Sequence, residues 1–301
     1  MKKTSVSYKI FTVFNAIVMI LIMAITVVPF WNTLVKSFNE GTDSMLSGVS
    51  FWVNKFTLEN YKTLLSDEAM YSAIGVTLTR LVIGVTLGIF LQFMTGYALS
   101  VKGYKWKRVI TVFFMIPMFF NGGIIANYLL YSRINLLNNF WIYILPCLFS
   151  FYNIIVIRSY INNSIPVSLF ENARIEGAGE MRIIWQIAFP LAMPIMATIG
   201  LWIAVMHWNE YTSTLYYITT PKLYTLQYKL VELIKETERM QQMIVAAAQE
   251  GKGADSVSNV TFTSESLVSA QVILTTAPII LVYPFLQKYF VKGVTLGSVK
   301  E

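Results

Sequence analysis

An all-α, polytopic membrane protein with six spans is predicted by three observations. Of 301 residues, 55% are hydrophobic and 13% charged, against roughly 25% charged in an average soluble domain, and mean hydropathy is +0.58. The apolar residues gather in six runs, near 10–33, 73–99, 108–131, 138–159, 184–206 and 267–287, each about the 20 residues that cross a bilayer as a helix. Charge is concentrated in the segments between those runs.

The first run follows Lys2, Lys3 and Lys9, as a secretory signal would. Ile10 to Trp31 is too long for a signal h-region, and no clear small-x-small cleavage site follows it, so an uncleaved first span is expected. A loop of mixed charge, Lys36 to Met70, leads to the second run, where Gly84 and Gly88 form a G-x-x-x-G pair that would admit a neighbouring helix closely. The basic loop "VKGYKWKR", Val101 to Arg108, precedes the third run, and a turn around Arg133 separates third from fourth. A charged stretch at 165–183 precedes the fifth run, a long polar segment at 212–265 the sixth, and the tail "QKYFVKGVTLGSVKE" closes the chain. The whole of 1–301 reads as one transmembrane domain with its core at 73–287.

Positive charge in short loops marks the cytoplasmic side. The termini, the basic loop and the 165–183 stretch, with Arg158 just ahead of it, together carry thirteen Lys or Arg. The opposite side carries nine, eight of them in the two long loops, where acids are comparably numerous. Both termini are therefore expected in the cytoplasm, and 212–265 outside. Arg80 then lies near the outer end of the second span, either snorkelling to the headgroups or facing a polar pathway.

Within "SLFENARIEGAGEMRIIWQIAFPLAMP", Ser168 to Pro194, Pro166 stops what precedes and Ser168 with Glu171 form a Ser-x-x-Glu capping box. A short helix is expected from Leu169, ended by Gly177 and Gly179 through the left-handed conformation glycine reaches easily. Two turns are too few to be stable alone in water, so the helix must lean on something. Pro190 and Pro194 then bend the start of the fifth span.

This stretch resembles the EAA motif of ABC-transporter permease subunits, roughly E-A-A-x3-G-x9-I-x-L-P. The sequence supplies Glu171, Asn172 and Ala173, then Gly177, then Ile187, Phe189 and Pro190; Asn172 and Phe189 depart from the pattern and leave its spacing intact. "WNEY", Trp208 to Tyr211, and the tail extend the resemblance to the maltose-type, MalG-like branch of carbohydrate-uptake permeases. The closest look is to permeases for complex oligosaccharides, such as those of the uronate or polygalacturonan type.

The resemblance implies a MetI/MalG-like permease fold and a coupling helix that docks on a separate ATPase through Glu171, Ala173, Arg174, Glu176, Gly177 and Ala178. Gly179, Pro190 and Pro194 would be the hinge. It also implies a second homologous permease subunit, two ABC ATPase subunits that carry ATP and Mg, and an extracellular or periplasmic solute-binding protein met by the outer loop. The amphipathic stretch from Leu226 to Ile244 within that loop could contact the binding protein or pack on the bundle. For the oligosaccharide path, the candidates are Trp208, Asn209, Glu210 and Tyr211 beside His207, with Asn121, Asn127 and Tyr128. Aromatic faces stack on sugar C–H surfaces and amides or carboxylates bond hydroxyls, although Trp and Tyr at span ends also form the ordinary interfacial belt.

Other chemistry finds no support in the sequence. One cysteine, Cys147, and one histidine, His207, leave too few ligands for a zinc site. There is no G-x-x-x-x-G-K-[ST] run, so ATP hydrolysis in this chain is not expected, and neither is another cofactor. "EGKGADS", "LSGVS" and "GAGEMR" are chance likenesses to nucleotide motifs, and the Lys and Arg do not form a nucleic-acid footprint. A secondary transporter driven by an ion gradient, the rival reading, would place Asp, Glu or His in the span cores, which here hold almost none.

Overall fold

The apolar runs are helical in the computed structural model, which describes residues 6–41, 51–120, 122–249, 265–282 and 284. Among the described residues, three helices are long and apolar enough by themselves to cross a membrane: α1 (Val6–Ser37), then, after α2 (Glu59–Ser66), α3 (Glu68–Ser100), and the last described helix, Glu265–Val282. The third, fourth and fifth runs are not single straight helices but bent pairs; only in the fifth, from Pro190 and Pro194, was a bend expected.

Each break has a local cause. In the third run, α4 (Lys107–Phe119) holds Pro117 and stops at Phe120, which is extended; α5 (Gly123–Arg133) restarts after Gly122, with Gly123 at φ +79°. The fourth run begins as 3-10 turns over Phe140–Tyr143 and Leu145–Cys147, the second holding Pro146. It turns by 45° into α6 (Phe151–Ser164), whose first turn is capped by the Ser150 hydroxyl. The Leu148 carbonyl freed at this break accepts from Gln92 Nε2 at 2.9 Å, and Gln92 Oε1 accepts from Asn153 Nδ2 at 2.9 Å. A backbone group without water must find such a partner.

After α7 (Val167–Ile175) comes the fifth run. Its first half, α8 (Glu180–Leu191), relaxes into a π-helical turn over Ile184–Ala188, just ahead of Pro190. A wider turn accommodates a residue that has no N–H to donate. Ala192 then bends the chain by 78° into α9 (Met193–Asn209), with Pro194 in the first turn of α9, where its missing N–H would have no partner anyway. Beyond lie α10 (Thr212–Tyr217), α11 (Leu226–Gln249) and α12, the Glu265–Val282 helix. The amphipathic segment expected at 226–244 is thus helical, with Leu226 and Thr237 buried.

By their contacts the helices divide into two compact units, Met1–Glu68 with Leu230–Ala277, and Ala69–Lys229 with Pro278–Glu301. In the first, Lys36 at the end of α1 pairs with Glu265 at the start of α12 at 2.7 Å. Phe38 stacks on Phe56 and tilts against Tyr61, while Asn60 Nδ2 ties the Ser37 and Asn39 carbonyls. Most of α1 exposes apolar side chains, Phe11, Phe14, Ile20 and Ile25 among them.

The second unit is organised by one face of α3. Thr77, Arg80, Gly84, Gly88, Gln92 and Gly96 recur at helical spacing, and all are buried. The glycines admit their neighbours: a side chain on Gly84 would strike the His207 imidazole, one on Gly88 would come within 3.3 Å of Ile203, and one on Gly96 within 2.8 Å of Ile157. The G-x-x-x-G pair is therefore a packing surface for α9. Below it, Phe93, Tyr97, Ile157, Ile161, Ile183 and Ile199 form the apolar core.

A short capped helix and a buried arginine cluster

The nine residues of α7 present two faces. Phe170 and Ala173 are buried, Phe170 edge-on to Tyr97 at 6.1 Å, whereas Glu171, Arg174, Ile175 and Glu176 are exposed, Ile175 at 83%. The capping box does not form. The helix starts at Val167 with Pro166 as its N-cap, so Ser168 lies inside it and no side chain caps the first turn. Pro166, with ψ at 128°, already sets the helix entry, and Leu169 N–H bonds its carbonyl at 3.1 Å.

The other end follows the expectation at one glycine and not at the other. Ala178 N–H donates to Ala173 O at 2.9 Å and Gly177 N–H to Arg174 O at 3.0 Å, with Gly177 at φ +81°. That pair of bonds is a Schellman termination, and its left-handed residue favours glycine. Gly179, in contrast, is extended at φ −70°, serves as N-cap of α8, and has open space where a side chain would stand.

Sequence reasoning missed what spans this turn. Arg174 Nε donates to Glu180 Oε1 at 2.7 Å, and Tyr97 Oη on α3 donates to Glu180 Oε2 at 3.0 Å. The bond it donates to Glu180 raises the Arg174 pKa above its ordinary value, against a smaller opposing effect of burial. A pair six residues apart across a glycine turn has no helical or strand periodicity to reveal it.

At the opposite end of α9, Arg80 is 1% exposed. It donates from Nη1 to Glu210 O at 3.0 Å, from Nη2 to Glu210 Oε2 at 2.8 Å and from Nε to His207 Nδ1 at 3.4 Å, and stacks 4.9 Å above the Tyr143 ring. Glu210 Oε1 accepts from Ser213 N–H at 2.6 Å in the first turn of α10. Tyr143 Oη donates to Leu223 O at 2.7 Å and meets Thr214 Oγ1 at 2.9 Å, and Thr77 Oγ1 accepts from Leu226 N–H at 2.9 Å. Arg80 thus neither snorkels nor stands alone: one side chain joins α3, α9 and α10.

This network sorts the path candidates. Trp208 is buried and the Glu210 carboxylate is engaged on both oxygens, while Asn209 and Tyr211 are exposed. On α5, Asn127 is half-buried and Tyr128 exposed; the Tyr128 ring lies 6.3 Å from that of Tyr217, on the helix that follows Tyr211. Asn121 lies outside the described residues. Among the described residues, no group of three or more His, Cys, Asp or Glu could hold a metal ion.

Comparison with known proteins agrees with this architecture. A protein family described as binding-protein-dependent transport system inner membrane component matches residues 84–296. Protein LplC of Bacillus subtilis (strain 168) is 31% identical, over 97% of this chain and 95% of that protein. The polygalacturonan/rhamnogalacturonan transport system permease protein YtcP of the same organism is 30% identical, over 92% of this chain and 93% of its own length. Among solved structures, a chain of a bacterial ABC transporter involved in the import of the acidic polysaccharide alginate superposes with a TM-score of 0.84 at 26% identity, covering 96% of this chain and all of that one. This chain therefore belongs to the family of inner membrane components of binding-protein-dependent transport systems.

Proposed function

We propose that the chain is the permease subunit of an ABC importer for a uronate-containing oligosaccharide, with α7 as the coupling helix that docks on a partner ATPase. One observation carries the reading: α7 offers Glu171, Ile175 and Glu176 outward while Phe170 and Ala173 seat it on the core. An exposed apolar residue such as Ile175 on so short a helix, at the place where the EAA pattern falls, suits a docking surface. ATP and Mg would belong to two ATPase subunits, and a second homologous permease would complete the pathway. With α7 at the cytoplasmic face, both termini are cytoplasmic, and Asn209, Tyr211, Asn127 and Tyr128 lie toward the outer side, where a solute-binding protein delivers the sugar.

The substrate class draws on the two relatives named for polygalacturonan/rhamnogalacturonan and alginate transport. The test is uptake by the reconstituted importer. Transport should survive collapse of ion gradients, stop on ATP depletion, and be competed by uronate oligosaccharides rather than by neutral maltodextrins. Gradient-dependent uptake would overturn the ABC mechanism; competition by maltodextrins alone would overturn the substrate class.

A further inference from the structure

We propose that Glu180 is a positioning residue for transport, locking the coupling helix to both the second and the fifth span so that a push on α7 reaches α8 without slack; this rests on α7 being the ATPase-docking element. The motif that identifies α7 contains neither Glu180 nor Tyr97, and the lock is visible only in three dimensions. One carboxylate receives Arg174 Nε from α7 at 2.7 Å and Tyr97 Oη from α3 at 3.0 Å, while its own backbone begins α8. Between Arg174 and Glu180 the chain could flex only through the glycine turn. That turn is closed by the two Schellman bonds, and Ala178 packs against the cluster that holds Phe170, Ala173 and Ile183.

The side chains of Arg174 and Glu180 remain 38% and 56% exposed. A pair so wetted is weak in water. A protein surface seated over α7 would exclude that water and strengthen the attraction, so the lock tightens when the ATPase engages. Docking and stiffening are then one event.

The whole importer, reconstituted with both permeases and ATPases, tests this with three variants. Glu180→Gln and Tyr97→Phe should retain the ATPase subunits on co-purification and continue to hydrolyse ATP, while sugar imported per ATP falls severalfold. A residue that only supports folding would lower the amount of active importer and leave that ratio unchanged. An unchanged ratio in Glu180→Gln overturns the proposal, as does loss of the ATPase from that variant, which would make Glu180 a docking contact. Should Glu180→Gln fail to insert, Tyr97→Phe, which removes one hydroxyl, decides by the same ratio. Ile175→Asp on the exposed face checks the underlying reading separately. It should release the ATPase, and retention would remove the docking role of α7 and the proposal with it.

Discussion

Arg80 holds Glu210 twice, through the carboxylate at 2.8 Å and through the backbone carbonyl at 3.0 Å. The second bond satisfies a carbonyl left free where α9 ends, and the first neutralises a guanidinium that is 1% exposed. Charge within a membrane protein is tolerated in this way, paired and turned toward the bundle. Removing one partner strands the other, and breaking a buried pair typically destabilises by roughly 3–5 kcal/mol. Arg80→Met should therefore lower the thermal unfolding midpoint of the purified complex markedly, and Arg80→Met with Glu210→Met should recover much of the loss.

Gly84 lies where the His207 imidazole passes α3. Gly84→Val should force α9 away, at about 1–3 kcal/mol for an overpacked contact, read as lowered yield and a lower midpoint. Gly75, with open space around it, is the control: Gly75→Ala should leave both unchanged.

Gly177 and Gly179 should part company on substitution. A non-glycine residue in the left-handed conformation of Gly177 is strained by roughly 1–2 kcal/mol, enough to distort the turn. Gly177→Val should reduce uptake in vesicles with insertion intact, and Gly179→Ala, at an ordinary φ with nothing nearby, should transport like the parent.

Glu171 is exposed on α7 and forms none of the described ion pairs. Glu171→Lys should leave the fold intact and weaken ATPase docking, seen as uptake lost at normal membrane abundance. Uptake at the parental rate would count against its role.

Gln92 bridges the break in the fourth apolar run. Gln92→Leu leaves the Leu148 carbonyl and the Asn153 amide without these partners, and each unsatisfied buried polar group costs about 1–3 kcal/mol. Faster hydrogen exchange around 148–153 would report the loosened break.

The helices were legible because lipid-length apolar runs admit few other structures, and Gly177 because a glycine after a short helical run signals its end. The breaks were less so. Pro117 and Pro146 were visible in the sequence, but a proline in a span does not say whether the helix kinks or stops; neighbours such as Gln92 decide that by satisfying the freed backbone. Pro166 displaced the Ser168 cap because both occupy the same terminus and only one can lead. Arg80 and Glu210, 130 residues apart, carry no local sign of each other, because the partner of each belongs to another helix.

The fifth apolar run, α8 with α9, emerges as a beam fastened at both ends. Glu180 ties its near end to the short helix and to Tyr97, Arg80 anchors its far end, and between them stand the π-helical turn and the 78° bend at Ala192. A push delivered through α7, as proposed, would meet the π-helical turn and the bend at Ala192 before it reached the Arg80 anchor.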